Sequence, residues 1–268
     1  MIEINKNLCI GCGKCVWDCF PGAMTMEEGK AALTNPGSCL CCGHCIAICP
    51  RNAVDDPELE TPLPLEKASD PKALLNAMES RRSCRHYLNK PIEQETLAML
   101  LDAARACPTA KNLQATRYIA VTDAMPKLLD AAMAMLGRMG KSLLESATDP
   151  DELRRANNFV SWAEKREQDK SFDPLFFHAP QLLLFVSGKA DVRDAAAAGA
   201  YTELMAYHLG LGCLYSGYFT ACCDLSAELK EMLGVGRQER VVRCLVLGYP
   251  DVKFLRTAPR KAPNVTYL

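Results

Sequence analysis

Residues 9–19 read CIGCGKCVWDC and residues 39–50 read CLCCGHCIAICP. Set side by side they carry one spacing, Cys9-x2-Cys12-x2-Cys15-x3-Cys19 and Cys39-x2-Cys42-x2-Cys45-x3-Cys49, with Gly13 falling on Gly43. Self-similarity at a fixed period means one small unit built twice. Three closely spaced thiolates on a tight loop reach three corners of an iron–sulfur cube. The fourth stands where the chain is already leaving and reaches across instead. Four-ligand zinc sites are organised differently, as separated C-x2-C pairs with a longer loop between them.

The two runs resemble the bacterial two-cluster ferredoxins over residues 1–53. The resemblance implies two [4Fe–4S] clusters, one held by Cys9, Cys12, Cys15 and Cys49, the other by Cys39, Cys42, Cys45 and Cys19. Two features depart from the pattern. Pro21 follows Cys19 only after Phe20, whereas Pro50 follows Cys49 directly, and Cys41 is a ninth thiol inside the second triplet, read as a spectator. This segment has few large apolar residues, and through Glu60 it carries eight acids against four bases, which suits docking to a basic redox partner. Metal clusters must then do what a core does in larger domains.

Outward from this segment, the composition limits the rest. The chain has 268 residues, 49% of them apolar, and a formal net charge of −1, which accommodates two unequal domains with a real core and argues against a nucleic-acid partner. The other six cysteines, Cys84, Cys107, Cys213, Cys222, Cys223 and Cys244, are scattered. No apolar stretch resembles a signal peptide or spans a bilayer, so the expected location is the cytoplasm, with no membrane association.

Residues 54–71, VDDPELETPLPLEKASDP, hold four prolines and no periodicity, and read as a stiff extended linker. Residues 72–268 follow as one larger domain. Asp70-Pro71 is an N-cap with Pro at N1, opening a helix that carries Leu74, Leu75 and Met78. Pro91 is read as the start of a second helix, with strands over 118–122, 182–186 and 241–247. Further helices are expected over 125–139, 150–170, 195–209 and 225–233, the last stopped by Gly234. Strands and helices do not alternate regularly, so the class is α+β. Gly210-x-Gly212 lacks the third glycine of a dinucleotide fingerprint.

Six features of this region come in a telling order: Arg81-Arg82-Ser83-Cys84-Arg85, the loop Pro108-Thr109-Ala110-Lys111-Asn112-Leu113-Gln114, His178-Ala179-Pro180 before a strand, the small-residue helix over 195–209, Leu247-Gly248-Tyr249-Pro250, and a basic tail with Arg256, Arg260 and Lys261. Together they resemble the FMN-dependent nitroreductase family over residues 72–261. The resemblance implies an α+β domain that forms an intertwined homodimer with FMN at the interface. It assigns Arg81, Arg82, Ser83 and Arg85 to the phosphate and pyrimidine side of the flavin and Asn112 to the ring's polar edge. Ser216 and Gly217 would lie where backbone approaches the ring, and Arg260, with Arg256, would reach the phosphate. Guanidinium groups suit phosphate, and a cation near the pyrimidine stabilises a reduced, anionic flavin.

No side chain is required for acid–base or nucleophilic work, so no catalytic residue is assigned and the chemistry belongs to the flavin. His86, His178 and His208 are read as structural, Cys84 and Cys107 as small apolar fillers, and the polar helix with Trp162 as a candidate lid. The expected function is a ferredoxin-fused flavin oxidoreductase. It would pass electrons from a ferredoxin-type protein or NAD(P)H to a small organic acceptor, nitroaromatic or quinone-like. The alternatives are a non-catalytic relay or sensor, and a flavin reductase of another substrate class such as a dehalogenase.

Overall fold

The computed structural model describes residues 1–67, 70–188 and 192–268. Residues 68 and 69 of the Pro-rich segment and residues 189–191 lie outside the described set. The chain divides into two compact units, Met1–Ala68 together with Thr109–Leu113, and Ser69–Pro108 together with Gln114–Leu268.

The sequence repeat is a structural repeat in the first unit. Helix α1 (Lys14–Trp17) and helix α2 (His44–Ala47) each carry the third cysteine of one triplet, and each starts from a left-handed glycine, Gly13 at φ 71° and Gly43 at φ 75°. Strand β1 (Glu3–Ile4) pairs antiparallel with β4 (Val54–Asp55), and β2 (Met24–Glu27) with β3 (Lys30–Leu33). The first pairing takes in Val54 and Asp55, read from sequence as the start of the linker. The buried apolar cluster is Ile2, Cys9, Cys15, Met24, Ala31, Ala53 and Val54, with Cys19, Cys39, Cys45 and Cys49 packed against it. Nothing larger than a methionine is inside.

The second unit is built on a four-stranded antiparallel sheet. Its strands are β5 (Arg117–Val121), β6 (Gln181–Ser187), β7 (Gly212–Tyr215) and β8 (Arg240–Gly248), in the order β5-β6-β8-β7. Every residue of β6 is buried, because helices cover both faces and an unbroken apolar run has no side to give to water. On one face, α5 (Met125–Ser146) and α8 (Gly217–Leu225) enclose Leu128, Met133, Leu182, Leu184, Phe219 and Val246. On the other, α4 (Gln94–Arg105) and α7 (Val192–His208) enclose Leu100, Ala195, Ala198, Leu183, Phe185 and Leu245. The α+β class holds.

Helix α3 (Pro71–Ser80) is capped by the Asp70 carboxylate, which accepts from Lys72 N at 3.2 Å. Helix α6 (Pro150–Gln168) is capped by Asp149, which accepts from the amides of Asp151 and Glu152 at 3.1 Å. The sequence reading does not include β7, places the start of α7 at 195 and not at Val192, and differs at three further elements. Helix α4 begins at Gln94 and not at Pro91, with extended backbone at Glu93 before it. Helix α5 runs on to Ser146 because Gly137 and Gly140 let α6 approach. A Cβ at Gly140 would stand 2.7 Å from the Ala156 carbonyl oxygen. The expected helix over 225–233 is two elements. Leu225 ends α8, and α9 (Ala227–Met232) restarts from Ser226, whose hydroxyl accepts from Leu229 N at 3.2 Å.

Candidate functional site

In the first unit the thiols sort by neighbour. Cys49 and Cys9 are the thiols that act on Cys15, while Cys42 and Cys39 act on Cys45. Burial pushes the Cys15 thiol up and takes the Cys45 thiol to about 11. Backbone amides point at the sulfurs in repeat-related pairs: Ala23 N donates to Cys19 Sγ at 3.3 Å and Ala53 N to Cys49 Sγ at 3.2 Å. Cys12, Cys41 and Cys42 complete the set, the first two exposed. Cys41 occupies the place of Gly11 in the repeat. Both are left-handed, at φ 48° and φ 70°, so Cys41 carries a strain that Gly11 does not. Among the described residues no three His, Cys, Asp or Glu side chains close on one point as ligands of a single metal ion.

The Arg-rich start lies in the second unit, after the end of α3, along the β7 side of the sheet. Cys84 N donates to Cys213 O at 2.8 Å, Leu88 N to Tyr249 O at 2.8 Å, and Ser83 bridges to Cys213. This contact is close enough to require glycine at position 212, where a Cβ would meet Cys84 Cβ at 2.7 Å. The segment then fans its side chains apart. Arg81 Nη1 donates to Glu203 Oε1 at 2.9 Å. Arg82 stands over the Phe254 ring, and Arg85 over the Phe177 ring, each 5.9 Å from the centroid.

Two clefts of the second unit receive these groups. One, of about 490 Å³, is lined by Arg85, Trp162, Pro174, Phe177, Tyr215, Ser216, Gly217 and Tyr218. Its wall is aromatic: Phe159, Trp162 and Tyr218 pack on one another with centroids 5.1–6.2 Å apart. Gly217 heads α8, and no atom lies within 4 Å of where its Cβ would be, so backbone faces open space there. The Ser216 hydroxyl turns inward, donating to Leu175 O at 3.2 Å. Phe177 and His178 are both left-handed, at φ 56° and 58°, and Asp173 clamps this turn by accepting from the amides of Phe176 at 2.8 Å and His178 at 2.9 Å. Consecutive strained residues on a cleft wall are what functional sites retain. The other cleft, of about 470 Å³, brings Arg82 and Arg256 together with Lys253, Phe254 and Cys84.

Not all the expected residues converge. Arg81 is engaged by Glu203, a side chain only 11% exposed. Burial raises its carboxyl pKa, while Arg81 and the Tyr215 hydroxyl pull it back. Asn112 sits in a left-handed 3₁₀ turn of Thr109–Leu113, grouped with the first unit, and donates to Cys41 O at 3.4 Å. Arg260 is exposed in the extended tail.

Helix α6 is packed, not loose: Ala156 and Phe159 are buried against α5, and Arg166 Nε donates to Asp130 Oδ1 at 2.8 Å. Burial pushes the thiols of Cys84 and Cys107 up, and those of Cys222 and Cys223 up to about 12, which leaves all four as unreactive core fillers. Sequence reasoning passed over Glu203, Asp173 and Tyr218. Only Asp173-Pro174 carried a local signal, a turn dipeptide.

The second unit matches the model of the nitroreductase family over residues 78–249, and the first matches that of a 4Fe–4S dicluster domain over residues 1–50. The first segment is also 43% identical over 47 residues to a component of the ion-translocating oxidoreductase complex of Methanosarcina acetivorans; the match spans 17% of that protein and 18% of this chain. Among solved structures, the chain is similar to an FMN-bound nitroreductase of Bacteroides fragilis, with 22% identity and TM-score 0.54 over 73% of this chain and 98% of that one. An FMN-bound nitroreductase of Desulfitobacterium hafniense gives 21% and 0.52 over 73% and 97%. An iodotyrosine deiodinase bound to FMN and 3-iodo-L-tyrosine gives 22% and 0.53 over 72% and 98%. These likenesses establish a shared fold. No helix among the described residues is long and apolar enough to cross a membrane. With a family model covering most of its length, and a 4Fe–4S dicluster segment ahead of that match, the chain belongs to the nitroreductase family.

Proposed function

We propose that this protein is a cluster-fed flavin oxidoreductase, in which two [4Fe–4S] clusters in the first unit deliver electrons to FMN in the second for reduction of a small organic acceptor. The observation that carries the reading is a repeated thiolate set joined in one chain to a nitroreductase-family unit whose aromatic cleft holds a guanidinium and a helix start. Cys9 and Cys49 as neighbours of Cys15 support the first ligand set, Cys9, Cys12, Cys15 and Cys49, and the second, Cys39, Cys42, Cys45 and Cys19, follows from the repeat.

The residues of the second unit fit a flat ring carrying a phosphate. Trp162, Phe177 and Tyr218 offer faces for a ring, and Gly217 opens the backbone to it. Arg85 sets a positive charge at that cleft, where it would stabilise an electron-rich pyrimidine edge. Arg82 and Arg256, with Lys253 beside them, form a cation cluster for phosphate; Arg260, exposed in the tail, is the further residue that the resemblance assigns to it. Ser83 holds the segment to Cys213. Arg81 acts through Glu203, which fixes its guanidinium in place; Asn112 is the residue assigned to the ring's polar edge. FMN bound in the Bacteroides and Desulfitobacterium structures supports this choice of flavin. When bound, FMN supplies the exchange between one-electron and two-electron chemistry. The aromatic wall gives the cleft apolar faces, and no side chain there is placed as a nucleophile.

The working unit is a homodimer, the donor a ferredoxin-type protein or NAD(P)H, and the acceptor a nitroaromatic or quinone. The test is anaerobic purification followed by iron and flavin quantification, with about eight iron and one FMN per chain expected. FMN reduction by reduced ferredoxin should then fall steeply in Cys12→Ala, while reduction by dithionite persists. Acceptors are compared as a panel of nitroaromatic, quinone and halogenated phenol. Zinc in place of iron, or equal rates in both proteins, sinks the reading.

A further inference from the structure

The thirty-residue repeat offers an internal control on what tunes each cluster, and this inference rests on the two-cluster reading above. Amide donors to sulfur recur in register. Gly11 N points at Cys9 and Cys41 N at Cys39; the amides of Cys15 and Val16 point at Cys15, those of Cys45 and Ile46 at Cys45; Ala23 serves Cys19 and Ala53 serves Cys49. Amide-to-sulfur bonds raise a cluster's potential by stabilising the added electron, and these recurring donors raise both alike; the amide of Ala31, which also points at Cys9, has no counterpart among them and acts in the same direction as the cations beside it.

The charges are not repeated. Lys30 Nζ donates to the carbonyl of Cys9, and Lys6 Nζ donates to the carbonyl of Ala31 at 2.6 Å, whose own amide points at Cys9. Thirty residues on, Lys6 becomes Pro36 and Lys30 becomes Glu60, so the second set has no counterpart of either cation. Beside the second set acids and bases come in pairs, with no lysine on a ligand's backbone. Asp18 precedes Cys19, and its carboxylate accepts from His44 Nδ1 at 3.0 Å, His44 itself preceding Cys45. Asp56, which acts on Cys41, is paired with the Met1 amino group at 2.8 Å. Reduction makes a cluster more negative, so a nearby cation favours the reduced form and a nearby anion opposes it.

We propose that the cluster held by Cys9, Cys12, Cys15 and Cys49 is the higher-potential member of the pair, and that Lys6 and Lys30 set the gap. One electron then leaves the reduced second cluster and settles on the oxidised first, with no bond made and no proton moved. The first cluster is then the one that is reduced when the pair carries a single electron. Lys6 and Lys30 are positioning residues for charge, not ligands.

The experiment is an anaerobic redox titration of the full-length holoprotein, monitored by low-temperature electron paramagnetic resonance, for the native chain, Lys30→Met, Lys6→Met, the double variant and Lys30→Arg. Two separate midpoints are expected in the native protein. The upper one should fall in Lys30→Met and further in the double variant, the lower should stay, and Lys30→Arg should keep the native gap. The exposed Lys6 supplies a variant that tests the inference even if replacing the half-buried Lys30 with Met prevents folding. With about eight iron per chain, coincident native midpoints, a moving lower wave or an unmoved upper wave would each overturn the inference alone. About four iron per chain would remove the two-cluster reading, and this inference with it.

Discussion

The two units solve opposite problems with their large side chains. In the second, Phe176, Phe185 and Phe219 are fully buried on either side of a sheet whose central strand sees no water. In the first, Trp17 and Phe20 stand 83% and 96% exposed, while cysteines occupy the interior. A domain of sixty-odd residues buries too little apolar surface to hold itself, and here the inner positions are given to ligands instead. One unit is held by packing, the other by what its thiolates bind. The same residue type shows the difference: before residue 50 cysteine ranges from buried, at Cys9 and Cys15, to exposed, at Cys12 and Cys41, whereas after it every cysteine is a buried core filler.

Removal of iron is the strongest way to break this contrast. Chelation under reducing conditions should open residues 1–55 to full hydrogen exchange while strands β6 and β8 keep their protection. Simultaneous loss of protection in both would mean one cooperative core. The converse is Leu184→Ala in β6, which removes a fully buried side chain and should destabilise the second unit by about 2–5 kcal/mol in denaturant titrations, with iron content unchanged.

A finer comparison lies within the repeat. A Cβ at Gly11 would stand 2.1 Å from the Gly29 carbonyl oxygen, whereas one at Gly43 meets nothing within 4 Å. Gly11→Ala should therefore abolish iron incorporation, and Gly43→Ala should cost only the left-handed strain of about 1–2 kcal/mol. Cys41→Gly should relieve a similar strain and keep full iron, since the proposed ligand sets leave Cys41 out; loss of iron would make it a ligand.

The smallest effect belongs to a surface pair on the second unit. Arg117 donates to both Glu239 carboxylate oxygens, at 3.1 and 2.8 Å, and Gly236 N adds a third bond at 2.8 Å. The Arg117 guanidinium, with that amide, holds the Glu239 carboxyl below the usual carboxylate range. Its contribution is present above the unfolded carboxyl pKa and is lost as pH falls through the lower folded value. Glu239→Gln should cost about 0.5–1 kcal/mol at neutral pH and flatten that part of the acid unfolding curve.

What was legible in the sequence had short-range causes. The cysteine spacing and the repeat glycines specify loops directly, and the Asp70-Pro71 and Asp149-Pro150 caps satisfy orphan amides within three residues, so both helices start where read. Boundaries set by tertiary contacts were not legible. Helix α5 extends because Gly137 and Gly140 admit α6, and 217–232 breaks into two helices because Ser226 caps the second. The motif Arg81–Arg85 was visible as a cation cluster, but nothing local says that its arginines part company. Only the close passage of Cys84 against Gly212 and Cys213 turns Arg82 and Arg85 to different clefts, and only the fold delivers Glu203, far along the chain, to Arg81. The chain alone determined which chemistry each unit can hold, because ligand spacing is local. Which side chains face that chemistry was decided by packing, because direction is a property of neighbours that the sequence does not place side by side.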